Sequence, residues 1–97
     1  MPRSGASRPL GDVLEVLIDR MKIRDRLEEA KVVDTWQQLV GPEVCAVMDG
    51  ARVRGRKLFV TITSAACRQE MHLDRSGWRD RLNKQLGAER IEEIVFR

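Results

Sequence analysis

The sequence predicts an α+β fold, and three observations predict it. Apolar residues recur at helical spacing from residue 13 to residue 48, then alternate with period two between residues 51 and 63. They return to helical spacing from Cys67 to Leu86. Finally, "IEEIVFR" closes the chain as a short strand. At 97 residues there is room for one core and one domain. A three-stranded sheet is not stable alone, so the helices must cover one of its faces. The expected order is α-α-α-β-β-α-β.

Residues 1–10 are rich in Pro, Gly, Ser and Arg and lack periodicity, which predicts a flexible N-terminal tail ahead of a single domain over 11–97. From Asp12, a residue suited to capping a helix, Val13, Leu14, Leu17, Ile18 and Met21 make an apolar stripe. A second helical segment is expected from about Arg24, with Leu27, Ala30, Val33, Trp36, Leu39 and Val40 as its buried stripe. Gly41-Pro42 stops it, because proline cannot continue a helix but suits the first turn of the next. "PEVCAVM" then reads as a short third helix ending near Asp49-Gly50.

From residue 51 the pattern becomes β-like. "ARVRG" and "KLFVTIT" flank a turn at Arg54-Gly55-Arg56, which predicts a hairpin. Leu58, Val60 and Ile62 share one face of the second strand, while Phe59, Thr61 and Thr63 share the other. With the first face inward, Arg52 and Arg54 fall on the outer side of the first strand. Ser64 is placed to cap the next helix, in which Cys67, Met71, Trp78, Leu82 and Leu86 keep one stripe. Ser76-Gly77 is the expected point of a kink or split, and Gly87 the terminator. Ile94 and Phe96 share one face of the last strand, whose direction the sequence leaves open.

Catalysis needs a nucleophile with its base, a metal cluster or paired carboxylates in a cleft, and none is spelled out here. His72 is the only histidine; Glu70 and Asp74 lie two positions from it, too close along a helix to face it. Glu28-Glu29 and Glu92-Glu93 read as solvated faces. Cys45 and Cys67 form no C-x-x-C pair, and their apolar neighbours read them as small core residues. No glycine-rich phosphate loop and no GxxG clamp occur. The expectation is a protein that is not an enzyme and has no metal, cofactor or small-molecule substrate. With no apolar leader and no run of about 18 apolar residues, no membrane association is expected and the cytoplasm is the default compartment.

Charge carries the functional content. The net charge is +3. Residues 1–50 hold seven Lys/Arg against nine Asp/Glu, while residues 51–97 hold eleven against six, so the basic excess lies in the second half. Arg52, Arg54, Arg56 and Lys57 cluster at the hairpin tip, and Arg68 lies near the start of a helix, where a cation gains nothing from the helix dipole. These five residues are the candidate nucleic-acid phosphate contacts. Few side chains look placed to read base edges, so binding is expected to be largely independent of sequence. Trp78, among Arg75, Arg79 and Arg81, reads either as core or as a rim position able to stack a base.

The ordered motifs resemble the DciA family, a bacterial domain long catalogued without a function and associated with operating or loading the replicative helicase. The resemblance runs from about Leu10 to Arg97. It rests on Trp36, Val40-Gly41-Pro42-Glu43, then Gly55 with Leu58 and Val60, and Ser64-Ala65-Ala66 with Glu70-Met71. It continues through Leu82-Asn83, Leu86-Gly87, and Ile94 with Phe96-Arg97. It departs at Cys67, where family members commonly have tryptophan. The resemblance implies a KH-like α+β module that binds single- or double-stranded DNA, contacts the replicative helicase and does not hydrolyse ATP. Two other readings stand beside it: a protein-interaction module with incidental basic charge, its contacts on the first helices around Arg24, Arg26, Glu28 and Glu29, and an RNA-binding KH-like domain.

Overall fold

A computed structural model describes residues 10–97, with side chains from Val16 onward. The tail expected over residues 1–10 lies outside that range except for Leu10. The elements are α1 (Leu10–Ala46), β1 (Met48–Arg54), β2 (Lys57–Ile62), α2 (Ala65–Leu73), α3 (Arg75–Leu86) and β3 (Glu93–Phe96). The class is α+β, with the helices and a three-stranded mixed sheet in the expected succession.

The helical segments divide differently from the sequence pattern. The first two expected helices are continuous, because residues 22–26 contain neither glycine nor proline to stop the chain. Asp12 therefore lies inside α1 and does not cap it. The third is the last turn of α1, set off at Gly41 (φ 83°, ψ 176°), a conformation essentially reserved for glycine, with Pro42 opening the turn. It ends at Ala46, because Met48 already pairs with Ile62 in the sheet. The buried row of α1 is Val32 and Trp36; Leu27 is 66% exposed and Ala30 is also exposed. The helical stretch after Ser64 splits at Asp74, ahead of Ser76-Gly77, and the Asp74 N–H donates to the carbonyls of Met71 and His72. Ser64 caps α2 as its position implied, its Oγ accepting from the Cys67 N–H at 3.2 Å.

β2 is the central strand. It pairs antiparallel with β1, and the Arg54–Lys57 pair leaves Gly55-Arg56 as a two-residue turn whose positive φ at Gly55 (62°) matches strand twist. β3 runs parallel to β2, since α2 and α3 return the chain to the starting end of β2. Leu58, Val60 and Ile62 of β2 and Ile94 and Phe96 of β3 point to one face. There they meet Val32 and Trp36 from α1, Met71 from α2 and Leu82 from α3 in a single core. Trp36 is fully buried, edge-on to Trp78 at 5.6 Å and tilted against Phe96 at 5.9 Å.

The α3–β3 connection is closed by Asn83. Its side-chain amide donates to the Ile91 carbonyl at 2.8 Å, and its Oδ1 accepts from the Ile91 N–H at 3.0 Å. The side chain thus replaces a missing ladder partner and holds Ile91 in the core. Asn83→Ala is expected to cost about 2 kcal/mol, two hydrogen bonds with a half-buried N–H left unpaired. Urea denaturation followed by circular dichroism checks it. Asn83→Asp is not expected to rescue, because it sets an oxygen against the Ile91 carbonyl; an unchanged midpoint in both variants would remove the clamp from the account.

Candidate nucleic-acid interface

All three helices pack on one face of the sheet, and no described residue outside the sheet covers the other face, which is open among the described residues. Phe59 and Val95 are half-buried yet belong neither to the core nor to the side chains packed against it. Strand register fixes what stands on this face. Arg54, Lys57 and Glu93 form one row, Arg52, Phe59 and Val95 the next, and Gly50 with Thr61 a third. Arg97 continues β3 past its last pair, its N–H donating to the Val60 carbonyl and its own carbonyl accepting from the Ile62 N–H. Its guanidinium lies over the Phe59 ring, 4.8 Å from the centroid.

The cations on this face are weakly held. Arg54 is exposed and makes no ion pair among the described residues. Lys57 lies 3.3 Å from Glu93, with both side chains about half exposed. Arg52 is 71% exposed and reaches Glu29 only at 3.9 Å. Ion pairs this exposed contribute roughly 0–1 kcal/mol, so a phosphate can replace the partner carboxylate at little cost. Arg52, Arg54, Lys57 and Arg97 thus stand against Glu93 on the face, with Asp49 near the far end of β1.

The other two expected contacts have structural tasks. Arg56 donates to the carbonyls of Glu89 at 2.6 Å and Arg90 at 3.5 Å, and its own carbonyl accepts from the Glu92 N–H at 2.8 Å. It docks the α3–β3 loop onto the hairpin. Arg68 donates to the Ile62 carbonyl at 2.9 Å, at the opposite end of β2 from the hairpin tip. Five residue steps of strand separate Lys57 from Ile62, about 17 Å. The structure therefore brings Arg52, Arg54 and Lys57 together and sets Arg68 apart from them, near the backbone of Arg97.

Trp78 sits on the helical side of the sheet, packed against the core, with Arg81 stacked 4.4 Å from its ring centroid. Cys45 and Cys67 are free and half-buried, and His72 is exposed beside Arg75. The turn between α2 and α3 carries Asp74, whose carboxylate pairs with Arg81 at 2.9 Å. Among the described residues no three His, Cys, Asp or Glu converge on a metal position, and no helix is long and apolar enough to cross a membrane.

Phe59 and Arg97 are the members of this surface that the expected contacts leave out. The signal for both is period two: Phe59 alternates with the inward Leu58 and Val60, and Arg97 follows the inward Phe96.

A second exposed surface lies on α1. Val16, Leu17, Ile18, Met21, Ile23 and Leu27 are between 37% and 66% exposed, whereas Val32 and Trp36, farther along the helix, are buried. The stretch before Glu28 overhangs the sheet. Glu28 pairs with Arg90, and the Glu29 carboxylate accepts from the Val53 N–H at 3.1 Å, marking where α1 first meets the domain.

A family model described as "Dna[CI] antecedent, DciA" matches residues 9–96 of the chain. No curated protein and no solved structure matches it.

Proposed function

The chain belongs to the DciA family, and from that premise we propose that it is a non-enzymatic, cytoplasmic replication factor that binds DNA phosphates on its open sheet face and contacts the replicative helicase through α1. DciA is a family with a helicase-loader-like role in replication and is not a known catalytic family. The observation that carries the DNA-binding part is the open face itself, where cations outnumber carboxylates and are held by pairs too weak to resist a phosphate. Arg52, Arg54 and Lys57 are the principal contacts. Arg56 and Arg68 add positive potential from the two ends of β2, while their guanidinium groups remain tied to backbone carbonyls. Binding is weak, salt-sensitive and without sequence preference, because phosphates are met and base edges are not.

Anisotropy titration of single- and double-stranded DNA and of an RNA strand, from low to physiological salt, tests this. Replacing Arg52, Arg54 and Lys57 together by Ala is expected to weaken binding at low salt by at least about 10-fold. It is also expected to lower the slope of log K against log salt by about 2, from about 0.7 per single-strand phosphate contact. Stability is expected to change little, since all three side chains are exposed. An unchanged slope would place the contacts elsewhere, and tighter binding of RNA than of DNA would favour the RNA-binding alternative.

The helicase contact is supported by the overhanging half of α1. An amphipathic helix that leaves Leu17, Ile18 and Met21 uncovered presents anchors of the kind a partner groove buries. The charged residues Arg24, Arg26, Glu28 and Glu29 flank those anchors as a polar rim.

A further inference from the structure

Phe59 is an aromatic on the central strand of a sheet whose open face carries basic side chains. Directly beside its ring stand Arg52 on β1 and Val95 on β3, and Thr61 follows on its own strand. Aromatic side chains of β2's inner neighbours are not available for this role, since Phe96 is buried under Trp36. The Phe59 ring is accessible from solvent to a planar group, because one already rests on it: the Arg97 guanidinium, 4.8 Å away and exposed. Arg97 makes no ion pair among the described residues, and the contact its head does make is with the ring.

We propose that the open face is a stacking platform for single-stranded nucleic acid, with one base lying on the Phe59 ring while Arg52 and Arg97 meet the flanking phosphates. This deepens, and rests on, the reading of the face as a nucleic-acid phosphate site. The occupant follows from chemistry. The cationic face selects a polyanion, and a flat apolar ring within it selects a polyanion that offers π-faces. A duplex hides its base faces in its own stack, so it can engage the cations and not the ring. Stacking a base on an aromatic is worth roughly 5- to 150-fold in affinity. Displacing an exposed guanidinium from that ring costs roughly 2- to 5-fold. The exchange therefore favours the base, and Arg97 is free to turn towards the backbone or to close over the base from above.

The test compares a dT oligonucleotide, an abasic strand of equal length and a duplex, each by anisotropy at low salt, against the wild type and Phe59→Leu. The platform predicts tighter binding of the dT strand than of the abasic strand. It also predicts that Phe59→Leu weakens dT binding about 5- to 30-fold, with duplex binding and the salt slope unchanged. Equal affinity for dT and abasic strands, or dT binding unaltered in Phe59→Leu, overturns the platform and leaves the phosphate site standing. A wild type that binds none of the three probes overturns both. Should Phe59→Leu fail to fold by circular dichroism, Phe59→Trp carries the test. Its emission is expected to be quenched by saturating dT strand beyond any change in the wild type, and unquenched emission overturns the platform.

Discussion

Trp36→Ala is expected to remove about 3–5 kcal/mol of stability, the largest loss any single side chain here should produce. Trp36 is fully buried where α1 crosses the sheet and touches rings from two other elements, Trp78 of α3 and Phe96 of β3. Removing it opens a cavity where α1, α3 and β3 meet. A domain of this length has roughly 5–15 kcal/mol in total, so the variant keeps from none to about four-fifths of it. Trp36→Phe is expected to cost much less, about 1 kcal/mol. The indole Nε1–H has no hydrogen-bond partner among the described residues, and leaving such a group buried carries a penalty of about 1–3 kcal/mol. Phenylalanine loses part of the ring volume but also removes that penalty. Urea denaturation monitored by circular dichroism separates the two variants. Equal losses in both would mean that the N–H is satisfied by the face of a neighbouring ring.

The same residue shows how far the sequence could be read. Trp36 on an apolar helical stripe, the hairpin at Gly55, the Ser64 cap and the Gly87 stop were all legible, because each depends on local spacing or local backbone chemistry. The register of α1 was not. Leu27, Ala30 and Val33 fit a helical stripe as well as Val32 does, and only the position of the sheet edge, set by Glu29 against Val53, decides which row is covered. The basic cluster was legible as charge but not as geometry. Strand alternation placed Arg52 and Arg54 on the outer face, yet nothing in the spacing tells that Arg56 turns back to the carbonyls of Glu89 and Arg90. Nor does it tell that Arg68 is held at the far end of β2. Long-range hydrogen bonds to backbone leave no periodic trace, so such residues look identical to free ones in a charge count.

Replacing Leu17 and Met21 together by Asp is expected to abolish capture of the replicative helicase while leaving the domain's melting temperature within a few degrees of wild type. Leu17 and Met21 are 49% and 62% exposed and one helical turn apart, on the face that farther along buries Val32 and Trp36. No described side chain covers them, so the folded domain loses little by their replacement. The free half of α1 has mixed charge spacing: Asp19 with Lys22 and Arg24 with Glu28 set opposite charges three and four residues apart. Arg20 with Arg24, and Lys22 with Arg26, set like charges four residues apart, each costing a few tenths of a kcal/mol. Its helicity is propagated from the anchored half, since a helix of this length is marginal by itself in water. A partner groove would bury the apolar stripe and so stabilise the overhang. Two carboxylates placed at its centre would then have to be desolvated, and truncating two central anchors alone typically costs more than 2 kcal/mol, about 30-fold in affinity. The measurement is a pull-down of purified helicase after nuclease treatment, beside a DNA titration of the same variant. Lost capture with unchanged DNA binding would separate the two surfaces. Capture that survives in the Leu17→Asp, Met21→Asp variant would move the proposed helicase contact off α1 and onto the folded body of the domain, where the open sheet face is the next candidate surface.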